Sequence, residues 1–220
     1  MIDLTPFYLS LKLALITTLV LFAFMLPLAF LFARKNFRGK AVFEAAFSLP
    51  LVLPPSVMGF YLLLFLSPYN AFGKFIEETF DVRLVFNFTG LVIASCIYSL
   101  PFMFAPLKSG FESLKPSLFE TSYSLGKSPL STLFRVALPN IKPNLLSAIV
   151  VTFAHTMGEF GVVLMIGGSV GGETKVVSIA IYEAVEMLDY GLAQTYALMM
   201  LGLSFVTLFL LYIFNQKVKI

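Results

Sequence analysis

Residues 120–139 read E-T-S-Y-S-L-G-K-S-P-L-S-T-L-F-R-V-A-L-P, a polar stretch inside a chain that is 59% hydrophobic. Ser117-Leu118-Phe119-Glu120 has the spacing of a capping box, in which a serine hydroxyl and a glutamate carboxylate satisfy free amides at a helix start. The spacing therefore predicts a short helix beginning here. Gly126 supplies the residue that takes a positive φ at the helix end, and Ser128-Pro129 follows as an N-cap with proline at the first helical position. Two short helices with a tight bend are expected. Leu118, Phe119, Leu125, Leu130, Leu133 and Phe134 give them apolar faces, while Lys115, Lys127, Arg135 and Lys142 hold the segment at a membrane surface. Such an element suits a groove on a soluble partner. The competing reading is an amphipathic hairpin that meets only lipid headgroups.

Outward from this stretch, 220 residues bound the chain to a single domain, and 12% charged residues place it outside the range of soluble proteins. The chain is read as integral to a membrane and all-α. Windows of about 19 residues find uncharged spans at residues 13–33, 45–67, 89–107 and 191–214. A fifth, residues 145–168, is interrupted by His155 and Glu159. About five transmembrane helices put the termini on opposite sides.

Lysine and arginine placement in short loops sets the orientation. Arg34, Lys35, Arg38 and Lys40 follow the first span, Lys108, Lys115, Lys127, Arg135 and Lys142 fill the loop before the fourth, and Lys217 and Lys219 close the chain. These are assigned to the cytoplasm. The N-terminus is then outside and the C-terminus inside, with residues 120–139 on the cytoplasmic side. The first span is read as retained, because its apolar run is longer than that of a signal peptide and its positive charges follow it. A net charge of +3 is this positive-inside bias. No basic patch with interleaved aromatics marks nucleic-acid binding. The single cysteine, Cys96, excludes a disulfide within the chain and a cysteine metal cluster.

Residues 167–174, G-G-S-V-G-G-E-T, superficially match a phosphate-binding loop but carry Glu173 where the lysine belongs. They read as a turn between a membrane helix and an outer re-entrant or surface segment. Asn87-Phe88-Thr89 is formally a glycosylation sequon.

Ionisable groups inside a span mark a pathway, a partner or a gate. His155 and Glu159, four apart, would share one face of a helix. A proton relay or pathway lining, a hydrogen-bonded structural pair and a metal site are the three readings, the last lacking further ligands at any metal spacing. Gly158 and Gly161 flank Glu159 closely enough to make the fourth span a place for a hinge. Pro50, Pro54 and Pro55 give the second span the same character, and a broken helix there would expose free amides to an anion without the tight hold of a lysine.

Glu120, Gly126 and the closing Val136-x-Leu138-Pro139 resemble the EAA loop of importer-type ABC permeases, whose coupling helix sits in a groove of the ATPase subunit. Thr121 and Ser122 depart from the alanines more usual there. Residues 49–63, 157–168 and 173–183 are similar to the molybdate branch of the molybdate, tungstate and sulfate permeases, and the resemblance runs over nearly the whole chain. Many relatives carry arginine where this chain has His155.

The resemblance implies a permease subunit of the cell inner membrane that imports a tetrahedral oxyanion, molybdate or tungstate, with a sulfate or thiosulfate permease as the alternative. It implies a homodimer, a cytoplasmic ABC ATPase dimer holding the ATP and Mg, and an extracytoplasmic oxyanion-binding protein. No cofactor is expected on this chain. Glu120, Gly126, Val136, Leu138 and Pro139 are the expected coupling residues, and Ser56, Gly59, His155, Thr156 and Glu159 the candidate pathway or gate residues. A reading from another class, an intramembrane enzyme using His155 and Glu159, lacks a G-x-S-x-G or H-E-x-x-H arrangement.

Overall fold

The computed structural model describes residues 2–218, with the side chains of 211 and 214–218 set aside. Lys219 and the side chain of Lys217, both assigned to the cytoplasm from charge placement, therefore lie outside the described residues. The long helices are α1 (Thr5–Arg34), α5 (Phe88–Glu112) and α12 (Tyr190–Val218). At 1.5 Å per residue the 30 residues of α1 extend about 45 Å, more than the apolar thickness of a bilayer.

These three are long and apolar enough to cross a membrane, and two bent helix pairs raise the total to as many as five spans. The protein is an all-α, multi-pass membrane protein. One bent pair is α2 (Lys40–Val52) with α3 (Pro55–Leu66), which turn through 116° where Pro54 and Pro55 interrupt the second apolar stretch. The expected proline break is thus sharper than a kink. After α3 the chain forms α4 (Ala71–Phe80), a capped helix. Asn70 accepts the Phe72 amide at 3.1 Å, and Glu77 meets Arg83 at 3.0 Å. Asn87 of the formal sequon is also a cap, accepting the Gly90 amide at 2.7 Å as α5 begins.

The stretch expected to couple comprises α6 (Pro116–Ser124), α7 (Pro129–Thr132), a π-helical turn (Leu133–Ala137) and α8 (Leu138–Asn140). The chain then bends by 85° into α9 (Lys142–Gly158). The capping box does not form. Pro116 holds the first helical position after Lys115, which moves Ser117 into the helix, and no side chain caps this end. Proline overrides the box because its fixed φ starts the helix and it has no amide that needs a partner.

Beyond α9, α10 (Gly161–Gly167) and α11 (Val177–Glu186) lead into α12. Between α10 and α11, residues 167–174 form a closed turn. The fully buried Thr174 donates to the Gly167 carbonyl at 2.7 Å and accepts the Val170 amide at 3.0 Å, so its hydroxyl serves the loop itself.

The core runs along α1, α5 and α9. Its main cluster joins Phe32, Met103, Leu107, Phe111, Phe119 and Leu133, which ties the coupling stretch to the membrane helices through one continuous apolar contact. Lipid tails compete with apolar side chains, so cohesion between spans rests on close packing and on hydrogen bonds. Ser10 illustrates the second: it accepts the Val177 amide at 2.9 Å and anchors α11 to α1. At the other end of the bundle, Lys108 of α5 reaches Glu44 of α2 and Glu112 of its own helix, each at 3.1 Å.

Candidate functional site

The coupling turn is built almost entirely from local bonds. Gly126 has φ +72, and the Lys127 amide reaches back to the Ser122 carbonyl at 3.1 Å, closing a left-handed helix end that a β-branched residue would strain. Ser128 then accepts the Ser131 amide at 3.2 Å and caps α7. Across the bend, the buried Ser122 and Thr132 hydroxyls bond at 2.8 Å. Ser122 is thus more than a small stand-in for alanine, since its hydroxyl closes the turn onto Thr132.

Farther along, the Asn140 amide donates to the Val136 carbonyl at 2.7 Å, satisfying a backbone acceptor in the π turn just before and after which proline and the 85° bend disturb the helix ladder. Glu120 and Pro139 are exposed, Val136 and Leu138 half-buried. Leu125, Leu130 and Phe134 are 72%, 67% and 56% exposed, an apolar tip carried on a fixed frame. Between α6 and the π turn lies a groove of about 580 Å³ lined by Leu114, Leu118, Leu125 and Val136, with Lys115 and Lys127 among its polar lining.

The second site lies where two helix breaks meet. Pro55 and Ser56 begin α3, and Gly161 begins α10; a Cβ on Gly161 would stand 2.8 Å from the Pro55 Cβ, so glycine lets the breaks touch. Around this contact is a cleft of about 610 Å³ lined by Ser56, Tyr98, His155, Gly158 and Glu159 among others. His155 is fixed by α5: its Nδ1 lies 3.0 Å from Ser99 Oγ, and its ring stacks on Phe102 at 3.9 Å.

Glu159 does not share a helical face with His155. With ψ 132 it is the extended residue that ends α9, because Gly158 and the short link to Gly161 let the helix stop there. The two side chains line one cleft but do not form the hydrogen-bonded pair that helical spacing implies. Glu159 is 4% exposed and neither carboxyl oxygen has a hydrogen-bond partner among the described residues. Ser95 Oγ on α5 is likewise buried without a hydrogen-bond partner among the described residues. The Glu159 backbone is better held, its carbonyl accepting from Ser178 of α11 at 2.7 Å.

The other candidate residues sit in packing. Thr156 is buried against Ser99 at 3.0 Å and donates to the Thr152 carbonyl, also at 3.0 Å. Gly59 is buried where a Cβ would meet the Met165 Cβ at 2.9 Å, so it seats α3 on α10. Ser56, His155 and Glu159 therefore come together at the cleft, and Gly59 and Thr156 support its walls. Ser95, Ser99 and Phe102 complete the site from α5 at intervals of four and three. That spacing of small polar residues along one face of a span was the available signal for an interhelical contact.

Residues 25–220 match the family model described as "Binding-protein-dependent transport system inner membrane component". The chain belongs to this permease family. The molybdenum transport system permease protein ModB of Azotobacter vinelandii is 41% identical over 96% of this chain and 93% of its own length. A sulfate transport system permease protein, CysT of Salmonella typhimurium, is 30% identical over 84% of this chain and 67% of its own. The permease fold is also that of a chain in an inward-facing MetNI methionine ABC transporter structure, with a TM-score of 0.74 at 15% identity over 97% of this chain and 94% of that one. This permease is the non-catalytic transmembrane subunit of an ABC-type importer, and His155 and Glu159 accordingly belong to a transport protein and not to an intramembrane enzyme.

Proposed function

We propose that the permease imports molybdate or tungstate, working as a homodimer with a cytoplasmic ABC ATPase dimer and an extracytoplasmic oxyanion-binding protein. The observation that carries this reading is the 41% identity to a molybdenum permease across nearly the full length of both chains. The N-terminus is outside and the C-terminus in the cytoplasm of the cell inner membrane, which puts the coupling turn beside the ATPase. ATP and Mg act on that partner.

In this reading Glu120, Gly126, Val136, Leu138 and Pro139 shape the handle that the ATPase grips through the exposed Leu125, Leu130 and Phe134. ATPase closure moves the handle, and α9, which continues from it, carries the movement to the cleft. Two copies of the cleft face the twofold axis and form the path. There Ser56, at the start of the twelve-residue α3, presents its hydroxyl and its own amide, while the Val57 and Met58 amides are taken up by the Pro54 carbonyl; these donors suit a tetrahedral oxyanion without a lysine that would hold it too long. His155 and Glu159 form the opposite wall.

The test is uptake of radiolabelled molybdate into vesicles holding the permease, its ATPase and its binding protein. The reading expects ATP-dependent uptake that tungstate blocks and sulfate does not. Sulfate and thiosulfate import is the second reading, favoured by the sulfate permeases at 30% to 33% identity. Block by sulfate would establish it instead.

A further inference from the structure

Arg34 ends α1, where charge placement alone assigns it to holding the chain's orientation. In the folded protein its guanidinium lies over a ring of another element: Cζ stands 3.9 Å from the centre of the Phe119 ring. No carboxylate forms an ion pair with Arg34 among the described residues. Phe119 belongs to α6, immediately before Glu120, and is 1% exposed. Its ring also lies 6.0 Å from Phe30, one turn back on α1, and Phe30 meets Phe111 at the end of α5 edge-on at 5.2 Å. One cation and three rings thus join α1, α5 and the coupling helix.

The backbone of α6 makes its main approach to α7 and the π turn. Its grip on the membrane helices is therefore made by side chains, and Phe119 is the one that is fully buried. A guanidinium over the open face of that ring resists lateral sliding of α6, because the attraction to the ring quadrupole depends on the cation staying above its centre. Phe30 alone would allow the helix to slip along an apolar contact with little penalty.

We propose that Arg34 is a positioning residue for transport coupling: by stacking on Phe119 it makes the coupling helix move with α1 instead of sliding beneath it. This rests on the coupling role proposed for residues 120–139, and not on the identity of the oxyanion. α1 packs along α5 and α9, which carry Ser99 and His155 of the cleft, so a push on α6 reaches the cleft through α1 as well as through the chain continuing into α9.

The experiment uses the complete transporter in vesicles and reads substrate imported per ATP hydrolysed. Arg34→Met removes the cation at similar length, Phe119→Leu keeps an apolar residue but removes the ring, and Arg34→Lys restores a cation. The expected result is a ratio lowered about two- to fivefold by Arg34→Met, the range that one exposed cation–ring contact carries. Phe119→Leu lowers it similarly, the double variant no further than either single one, and Arg34→Lys recovers most of it. Lys35→Met removes the neighbouring charge and should leave the ratio unchanged.

A normal ratio in Arg34→Met would overturn the proposal, as would an equal loss in Lys35→Met, which would reduce Arg34 to a topological charge. A double variant showing the product of the two losses would also count against it. If the wild-type complex imports no molybdate, the substrate reading fails separately. Stimulation of ATP hydrolysis by the loaded binding protein then serves as the readout, with the same ordering of variants expected and the same outcomes overturning it.

Discussion

The coupling turn and the cleft are both bends in helical backbone, but they are finished differently. In the turn, Gly126 takes the left-handed conformation, Ser128 caps, Ser122 bonds Thr132 and Asn140 covers a π-turn carbonyl. In the cleft, Glu159 is buried with both carboxyl oxygens unpartnered among the described residues, and the buried Ser95 hydroxyl of α5 is unpartnered among them too. A bend with its polar groups satisfied has one arrangement. A bend with a buried acid left unpaired has a reason to leave the arrangement it is in, since any second conformation that pairs or wets the acid gains free energy. In the mechanism proposed above, the first region serves as a rigid handle and the second as a switch.

Breaking the handle should have the largest effect. Gly126→Val forces a β-branched residue to φ +72, at a cost of about 1–3 kcal/mol, and the turn will reopen to avoid it. Uptake should fall by about fivefold to a hundredfold, at tenfold per 1.4 kcal/mol, while immunodetection finds normal amounts of protein in the membrane. Normal uptake would remove Gly126 from coupling.

Relieving the switch comes next. Glu159→Gln replaces an unpaired acid by a neutral group that tolerates burial better, which favours the conformation described here over its alternative. Uptake should drop severalfold with assembly unchanged, and protease or thiol accessibility at Ser56→Cys should shift toward a single state. If neither uptake nor accessibility changes, Glu159 is no part of the switch.

A double-variant cycle sharpens the contrast within the turn. Ser122→Ala or Thr132→Val alone leaves a buried hydroxyl without its partner and should cost about 1 kcal/mol of thermal stability in detergent. Both together should cost less than the sum, because two apolar groups of similar shape satisfy each other.

The smallest effect is expected at Glu183 of α11, whose carboxylate lines neither region. Burial of Glu183 would raise its pKa, but hydrogen bonds from Lys175 and Ser169 outweigh this and lower it. A depressed carboxylate pKa contributes stability that is present above the unfolded value and is lost as pH falls through the folded one. Acid below the ordinary glutamate range should therefore loosen α11 slightly, and Glu183→Gln should remove that acid dependence in a thermal-melt series.

How much of each region can be read from sequence follows from the same difference. The handle is legible because its bonds are local. Gly126, Ser128-Pro129 and Leu138-Pro139 act within a few residues of themselves, and the one misreading, a capping box at Ser117, arose where Pro116 imposed a competing local rule. The break at Pro54-Pro55 and the helix end at Gly158 were legible for that reason too, whereas the second bend that enters the count of up to five spans falls between Asn140 and Lys142, before the apolar stretch read from residue 145.

The cleft is only half legible. His155 and Glu159 are conspicuous as ionisable groups in apolar surroundings, yet helical spacing misplaces Glu159, because the helix ends one residue before it. The partner of His155 is Ser99, 56 residues away; the Ser95 and Ser99 spacing marks one face of α5 as a contact face, but nothing local says that α9 will meet it. The Arg34 stack on Phe119 was hidden for another reason: a charge at the end of a span already has a sufficient explanation in orientation.

The most direct test of the handle and the switch is a pair of spin-label distances in the complete transporter, in a background with Cys96→Ser. One pair, Tyr123→Cys with Leu130→Cys, spans the coupling turn; the other, Ser56→Cys with Ala154→Cys, spans the cleft of one subunit. On adding ATP under conditions that trap the closed ATPase, the turn distance should stay fixed and the cleft distance should change. A turn that deforms while the cleft holds its distance would contradict the account.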